Sequence, residues 1–226
     1  MRKLNYKYLI LFLILIMAVK AKGQDWANLN KYKNENTLLG SQTPGQKRIV
    51  YFGDSITESW GTVYPDFFND KNYINRGISG QTTPQMLLRF RQDVIELQPE
   101  IVIILAGTND IAGNTGPTTL HTILGNLISM CELAKANAIK VVLCSVLPAY
   151  DYPWKKGLEP AAKIEALNAM IIKYAKANNI TYVDYYSVMV DERKGLKSIY
   201  SEDGVHPNKE GYRVMESIIE AIIKNL

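Results

Sequence analysis

Short apolar runs alternate along the chain with longer segments in which apolar residues recur every three or four positions. The first kind of pattern is typical of buried strands, and the second is typical of amphipathic helices. Glu100–Ala106 is apolar on both faces, as a central strand of a parallel sheet requires. The runs predicted as strands are Arg48–Phe52, Tyr73–Asn75, Glu100–Ala106, Lys140–Leu147 and Thr181–Tyr185.

Helical periodicity lies between and after these strands. The predicted helices are Thr83–Glu96, Thr118–Asn137, Pro160–Asn178 and Lys209–Asn225. Strands separated by helices indicate βαβ units, and therefore one doubly wound α/β domain with helices on both faces of a parallel sheet. Ligands of such domains bind beyond the carboxyl ends of the strands, so the loops that follow the strands are the ones to examine.

The first 23 residues have the pattern of a secretory signal peptide. A basic start precedes an apolar run, Tyr8–Val19, and Ala21-Lys22-Gly23 fits a cleavage site that would leave Gln24 as the mature N-terminus. We therefore expect an exported protein, periplasmic or secreted, without a stable membrane anchor after cleavage. An uncleaved anchor is the alternative, because Lys20 and Lys22 lie near the site. Residues 24–46 are polar and predict a helix-and-loop extension.

The formal charge bears on the class of binding partner, and the two cysteines bear on disulfide formation. Residues 1–23 hold five of the 26 basic side chains and no acidic one, so residues 24–226 carry a formal charge of −1. This charge gives no support for binding nucleic acid or an anionic membrane. Cys131 and Cys144 fall at core positions of a predicted helix and strand, and we expect two buried free thiols rather than a disulfide.

The loops after the strands carry the groups that nucleophilic catalysis needs. Ser55 follows strand one directly after Gly53 and Asp54, and Asp203 and His206 share one turn near the C-terminus. A serine hydroxyl needs an adjacent base, and an acidic residue can orient that imidazole. His121 has no such partner and is interpreted as a structural or surface residue. We therefore predict Ser55 as nucleophile, His206 as base and Asp203 as its orienting acid.

Two further loops supply candidates for an oxyanion hole. The backbone N–H groups of Ser55 and Gly80, with the side-chain amide of Asn109, would stabilise a developing oxyanion. Each residue also has a simpler interpretation: Ser55 as a helix cap, Gly80 as a turn residue and Asn109 as a turn cap. The four loops together favour catalysis, because parallel strands would bring them to one edge of the sheet.

These loops resemble the sequence blocks of the SGNH (GDSL-type) hydrolases. GDS at 53–55, Gly80 in NRGISGQTT, GTND at 107–110 and DGVHPN at 203–208 occur in the order of that family. The first block reads GDSIT rather than GDSL. The resemblance assigns residues 47–226 to a hydrolase domain with a three-layer α/β/α, flavodoxin-like fold and strand order 2-1-3-4-5. It also implies ester hydrolysis through an acyl-enzyme, with no metal and no other cofactor.

Asp54 and several aromatic residues complete the predicted site. Asp54 either holds the Asn109 loop from behind or only stabilises its own turn. Aromatic residues at the predicted rim, which could stack on sugar rings, are Trp60, Tyr150, Tyr152 and Trp154. Together with export and a resemblance to the branch of platelet-activating-factor acetylhydrolase-like and carbohydrate acetylesterase enzymes, they favour a small-molecule or glycan ester, an acetyl ester of carbohydrate in particular, as substrate.

Three alternatives stay open at this point. A lysophospholipase or short-chain lipase would use the same catalytic residues. A flavodoxin-like protein that binds flavin or phosphate would place its ligand at Ser55–Ser59 and would not need Asp203 or His206. A glycan-binding module without catalytic activity is the third alternative, and the complete set of Ser55, His206 and Asp203 argues against it.

Overall fold

The computed structural model of the protein describes residues 24–40, 45, 47–69 and 71–226. The predicted signal peptide, residues 1–23, lies outside the described residues. Across the residues that are described, no helix combines the length and the apolar character that a membrane crossing requires.

A parallel five-stranded sheet forms the centre of the described chain, in the order β2-β1-β3-β4-β5, which confirms the predicted fold. Its strands are β1 (Ile49–Gly53), β2 (Tyr73–Gly77), β3 (Ile101–Leu105), β4 (Lys140–Cys144) and β5 (Thr181–Val183). Gly53, the last residue of β1, pairs with Gly77 of β2 and with Leu105 of β3. Three strands therefore end at one level, and the loops that follow them start side by side.

Helices cover both faces of the sheet. They are α1 (Lys33–Leu39), α2 (Ser55–Val63), α3 (Thr83–Asp93), α4 (Thr108–Ile111), α5 (Leu120–Ala136), α6 (Ala161–Ala177), α7 (Tyr186–Met189) and α8 (Lys209–Ile223), with 3₁₀ turns at Pro65–Phe67, Ile95–Leu97 and Ser198–Tyr200. The predicted helix Thr83–Glu96 thus ends at Asp93, and a 3₁₀ turn follows it. The alternation of helices and strands is as predicted. The short helices α4 and α7, of four residues each, were not predicted, and the other differences lie mainly at the ends of elements.

Strand β4 ends at Cys144 rather than at the predicted Leu147, because a side chain replaces a neighbouring strand. The Asn168 amide accepts a bond from the Val146 N–H (2.8 Å) and donates one to the Val146 carbonyl (2.9 Å). Strand β5 ends at Val183, and the next residue, Asp184, accepts a bond from the Ser187 N–H in the first turn of α7 (3.0 Å).

Two hydrophobic cores lie on opposite faces of the sheet. One packs Val50 and Phe52 against α3, α5 and α6, and the other packs Ile49 and Tyr51 against α2 and α8. Cys131 belongs to the first core and Cys144 to the second. Both are buried free thiols, as predicted, and the sheet separates them.

Candidate active site

Ser55 is the first residue of α2, directly beyond the carboxyl end of β1. The turn before it is tight, because α2 approaches the sheet closely. A Cβ atom on Gly77 would lie 2.1 Å from the Glu58 nitrogen, and one on Gly53 would lie 2.0 Å from Thr57 Oγ1. The glycines thus permit a contact that places the Ser55 side chain at the edge of the sheet, half-buried, beside the free N–H groups of a helix N-terminus.

The turn that carries Asp203 and His206 approaches Ser55 from the far end of the chain. Ser55 Oγ lies 2.9 Å from His206 Nε2, and His206 Nδ1 lies 2.6 Å from Asp203 Oδ2. Residues 151 positions apart therefore meet in the order hydroxyl, imidazole, carboxylate. This is the geometry that transfers a proton from a serine to a histidine.

Local hydrogen bonds fix the Asp203 carboxylate. Its Oδ1 accepts bonds from the backbone N–H groups of Val205 and His206, both at 2.8 Å, and from Ser201 Oγ at 3.1 Å. Partial burial opposes ionisation of Asp203, but the hydrogen bonds from His206 and the backbone outweigh it and lower its pKa. Asp203 is thus an anion at neutral pH, and it can stabilise an imidazolium at His206.

The loop after β2 presents Gly80 to the same edge. Gly80 has a φ of +76°, a left-handed conformation that favours glycine. Among the described residues, neither the Gly80 N–H nor the Ser55 N–H has a hydrogen-bond acceptor. Both groups are therefore available to an oxyanion.

Asn109 lies in α4, the short helix after β3, and only 2% of it is exposed. Its Nδ2 donates a hydrogen bond to the Gln81 carbonyl (3.1 Å), so Asn109 is joined to the loop that carries Gly80. An amide nitrogen carries two hydrogens, and the second one remains for a substrate.

Glu58 and Arg89 are site residues that sequence reasoning missed or dismissed. The Glu58 carboxylate accepts bonds from the N–H and the hydroxyl of Ser79, both at 2.6 Å, and it ties α2 to the Gly80 loop. In the sequence, Glu58 is only an acidic residue in a helix first turn. Arg89 is buried in α3 and donates to the carbonyls of Gly53 (2.8 Å) and Arg76 (2.9 Å), at the ends of β1 and β2.

The N-terminal segment, residues 24–40, packs against the same loop. The Tyr32 hydroxyl donates to the Gly77 carbonyl, Lys31 pairs with Glu58, and the Ala27 carbonyl accepts a bond from Gln81 Nε2 (2.7 Å). The predicted extension thus holds the Gly80 loop in place through side-chain hydrogen bonds, a role that its polar composition did not indicate.

Two buried aspartates stand next to the predicted catalytic residues. Asp54 caps α2 by accepting a bond from the Ile56 N–H (3.0 Å), and in the described chain no hydrogen bond joins it to Asn109. Burial raises its pKa to about 7. Asp110 accepts bonds from the N–H and the hydroxyl of Thr83, and burial raises its pKa to about 6. Each side chain thus holds a backbone N–H near the site, that of Ile56 for Asp54 and that of Thr83 for Asp110.

Two of the four aromatic residues predicted at the rim are exposed, and two are buried. Trp154 is 45% exposed, its ring centroid lies 5.9 Å from that of His206, and Tyr150 is also exposed. The prediction is wrong for Trp60, which stacks between Phe67 and Tyr212 in the core.

Tyr152 is also buried rather than at the rim. Its ring stacks under Trp154, at 5.1 Å between centroids, and its hydroxyl donates to the Thr108 carbonyl (3.1 Å). Tyr152 therefore supports Trp154 from below. His121 is exposed at the start of α5, and in the described part of the chain it has no side-chain hydrogen bond, in line with a surface role.

Two cavities border the loop 150–158, which follows β4. One, of about 280 Å³, reaches Asp203 and contains Tyr150 and Arg193 in its wall. The other, of about 500 Å³, reaches Asp110, the neighbour of Asn109. Its wall includes apolar side chains, namely Ile111, Leu120, Ile123 and Leu158.

Comparison with known proteins finds a family model and solved structures that this chain matches. Residues 51–214 match the model of the GDSL-like lipase/acylhydrolase family. The crystal structure of a GDSL-like lipase from Bacteroides thetaiotaomicron is 53% identical, covers 88% of this chain and 99% of its own, and superposes with a TM-score of 0.86.

More distant relatives are longer than the matched region. A lipoprotein of Bacillus subtilis is 29% identical over 50% of this chain, and an acetylxylan esterase of Xylanibacter ruminicola is 24% identical over 78% of it. The chain spans 53% of the first relative and 43% of the second, about half the length of each.

Proposed function

The chain belongs to the GDSL-like lipase/acylhydrolase family, and we propose that it is a serine esterase that hydrolyses short acyl esters through an acyl-enzyme. The observation that carries the proposal is the contact of Ser55 Oγ with His206 Nε2 at 2.9 Å, continued by the Asp203 carboxylate at 2.6 Å. A serine that only began a helix would need neither partner.

In the proposed reaction, Ser55 Oγ attacks the ester carbonyl carbon while His206 Nε2 accepts the hydroxyl proton. The carbonyl oxygen becomes an oxyanion, which the N–H groups of Ser55 and Gly80 and the Asn109 amide stabilise. The C–O bond to the alcohol then breaks, and the imidazolium donates its proton to the leaving oxygen. A water molecule, deprotonated by His206, then attacks the acyl carbon of the acyl-enzyme. The bond from that carbon to Ser55 Oγ breaks, the imidazolium returns its proton to Oγ, and the acid leaves.

We further propose an acetylated carbohydrate as the preferred substrate. The position of Trp154 supports this proposal, because its exposed ring lies beside His206, where the alcohol part of an ester would leave. The flat ring offers a stacking surface for a sugar, and Tyr152 holds it in place from below. The distant acetylxylan esterase relative is consistent with the same substrate class.

A second candidate is hydrolysis of esters with longer acyl chains, as in a lysophospholipase or lipase. One observation favours it: the cavity of about 500 Å³ next to Asp110 has apolar side chains in its wall and could hold several methylene groups. The two candidates share all the proposed catalytic residues and differ in the acyl group.

The test is release of acid from a substrate panel: acetylated xylo-oligosaccharides, p-nitrophenyl esters of increasing chain length, and lysophosphatidylcholine. We expect the highest kcat/KM on acetyl esters of oligosaccharides and no turnover by Ser55→Ala. Ser217→Ala, an exposed serine of α8, is the matched control and should retain full activity.

Other outcomes of this panel assign other functions. Preference for lysophosphatidylcholine supports the second candidate. Oligosaccharide binding without acid release by the wild-type protein indicates a glycan-binding module, and a flavin that copurifies indicates a flavodoxin-like binding protein. Full activity of Ser55→Ala would remove Ser55 as the nucleophile.

We also propose that the protein is exported and cleaved after Gly23. The pattern of residues 1–23 supports this proposal. N-terminal sequencing of the protein recovered from the periplasm or medium should begin at Gln24. A chain that retains Met1 in the membrane fraction would indicate an uncleaved anchor instead.

A further inference from the structure

Asn114, in the loop after α4, joins the two predicted oxyanion donors that lie outside the nucleophile turn. Its Nδ2 donates to Asn109 Oδ1 at 2.8 Å and to the Gly80 carbonyl at 3.2 Å. We propose that Asn114 is a positioning residue, which aims the Asn109 amide and the Gly80 N–H at the oxyanion. This inference rests on the proposed esterase function, and it names a residue outside every sequence block that carries the family resemblance.

Backbone carbonyls fix which way each amide faces. A carbonyl can only accept a hydrogen bond, so the Asn114 atom that faces the Gly80 carbonyl must be its NH₂ group. That same NH₂ group requires an oxygen on the neighbouring side chain, which is Asn109 Oδ1. The NH₂ group of Asn109 therefore lies on the other side of its amide, where one hydrogen bonds the Gln81 carbonyl and one is free.

The Gly80 N–H is fixed by restraints on the peptides before and after it. Glu58 holds the Ser79 N–H at 2.6 Å, and Asn114 holds the Gly80 carbonyl. The Gln81 N–H also bonds back to the Ile78 carbonyl at 3.3 Å. The peptide between Ser79 and Gly80 has little freedom to rotate, and its N–H has no acceptor among the described residues.

A neighbouring contact keeps the Asn114 loop in place. Thr115 Oγ1 lies 3.0 Å from Thr82 Oγ1, so two consecutive side chains of this loop contact the Gly80–Thr82 segment. Asn114 itself is exposed, and its loss removes no apolar contact from the core. A substitution there should therefore change the direction of the donors and leave the free energy of unfolding almost unaltered.

The decisive substitution is Asn114→Asp, which keeps the size of the side chain and replaces the donor with an acceptor. A carboxylate repels both the Gly80 carbonyl and Asn109 Oδ1, so it favours a flipped Asn109 amide that turns its oxygen toward the substrate. We expect kcat on p-nitrophenyl acetate to fall about tenfold, a fraction of the loss caused by removing a whole oxyanion donor. KM and Tm should stay at their wild-type values.

Two further variants serve as comparisons for the kcat of Asn114→Asp. Asn114→Ala should reduce kcat less than Asn114→Asp, because water can occupy the vacated place without repulsion. Asn137→Asp makes the same chemical change at an exposed asparagine whose Nδ2 donates to the Leu133 carbonyl, near the opposite edge of the sheet, and it should leave kcat unchanged.

A tetrahedral probe separates oxyanion stabilisation from general damage. Phenylboronic acid can form a tetrahedral adduct with a nucleophilic serine, and its Ki should rise about tenfold in Asn114→Asp, in parallel with the loss in kcat. An unchanged Ki would overturn the inference. A loss in kcat accompanied by an equal loss of folded protein would also overturn it, since the role would then be structural.

The route through Asn109 is tested by a double substitution. In an Asn109→Ala background, where kcat itself should be about a hundredfold lower, Asn114→Asp should cost about threefold or less. A full tenfold loss in that background would overturn the assignment.

Ser55→Ala, measured beside these variants, distinguishes the two possible failures. If Ser55→Ala remains active, the proposed function fails and the inference fails with it. If Ser55→Ala is inactive and Asn114→Asp has wild-type kcat and Ki, only the inference fails.

Discussion

The two sides of Ser55 are held by different means. On the side of Gly80 and Asn109, several supporting polar residues are almost fully buried and bond groups that are far away in sequence, as Thr83 does with Asp110 and Arg89 with Gly53. These residues, at 0–4% exposure, are Gln81, Thr82, Thr83, Arg89, Asp93 and Asp110. On the side of His206, the side chains of His206 and Asp203 are 32% and 39% exposed, and one short turn positions both. The oxyanion side therefore depends on the tertiary fold, whereas the base side depends on local sequence.

This difference has consequences for mutation. A change on the His206 side should reduce activity without unfolding the protein, because water can solvate what is left. A change at one of these buried residues should reduce stability as well, since a group that loses its partner there stays out of water.

The largest expected effect is that of His206→Ala on activity. Removal of the proposed base should lower kcat on p-nitrophenyl acetate by a factor on the order of 10³ or more. Tm should change little, because the imidazole is partly exposed. His121→Ala, at the other histidine of the chain, is the control and should be nearly silent. A large loss of activity there would reassign the base.

Next in size is the effect of Arg89→Met on stability. Arg89 is fully buried, bonds Asp93 at 3.1 Å and stacks over the Phe52 ring. The substitution removes the only cation that bonds the buried Asp93 carboxylate in the described chain, which keeps the Asn36 amide as a donor at 2.7 Å. The free energy of unfolding should therefore fall by roughly 3–5 kcal/mol.

The matched control for Arg89 lies on the same helix. Arg91→Met, at an exposed position of α3, should change the free energy of unfolding by less than about 0.5 kcal/mol. Urea denaturation of both variants makes the comparison. Equal stability of the two would show that the buried arginine is dispensable, and that the Gly80 side does not depend on it.

A smaller effect is expected for Trp154→Ala. KM for an acetylated oligosaccharide should rise by a factor of about three to ten, which corresponds to 0.5–1.5 kcal/mol of lost aromatic stacking. Turnover of p-nitrophenyl acetate should be almost unchanged. Trp26→Ala, at a tryptophan with the same 45% exposure in the N-terminal segment, is the control. Equal KM values for both variants would argue against sugar stacking at Trp154.

A further effect concerns Asp54 and the pH dependence of stability. Its pKa is raised by burial to about 7 in the folded protein, against about 3.9 in an unfolded chain. The folded state therefore binds this proton more tightly, so the stabilisation is complete below pH ~4 and is lost as the pH rises through about 7.

Asp54→Asn removes that pH dependence and keeps an oxygen for the Ile56 N–H. The Tm of the variant relative to the wild type should therefore increase by a few degrees between pH 5 and pH 8, as measured by calorimetry. Parallel curves for the two proteins would mean that Asp54 does not change protonation over this range.

Most of the fold could be predicted from the sequence, because apolar runs and helical periodicity report directly on a buried parallel sheet. The meeting of Ser55, Asp203 and His206 was predicted from the place of Ser55 after the first strand, from the shared turn of Asp203 and His206, and from the resemblance to the hydrolase blocks. Trp60 was misplaced because closeness in sequence does not define a helix face. Five residues beyond Ser55, at 100° per residue, its side chain is turned by roughly 140° away from Ser55, toward Tyr212 and the core.

The supporting residues could not be predicted, since their partners are distant in sequence. Asn114 stands between glycine-containing turns and has the appearance of an ordinary loop residue. Glu58 suits a helix N-terminus whether or not it binds Ser79. Arg89 gave one signal, a cation on the otherwise apolar face formed by Met86 and Phe90, which marks a buried arginine with specific partners.

The common end level of β1, β2 and β3 has a consequence for redesign. A one-residue insertion in any of these strands would move its side chains from one core to the other and shift its loop by about 3.3 Å. The loop 150–158 follows β4 and holds none of the proposed catalytic groups. New substrate selectivity is therefore best sought by varying the length and composition of that loop, with the three aligned strands kept intact.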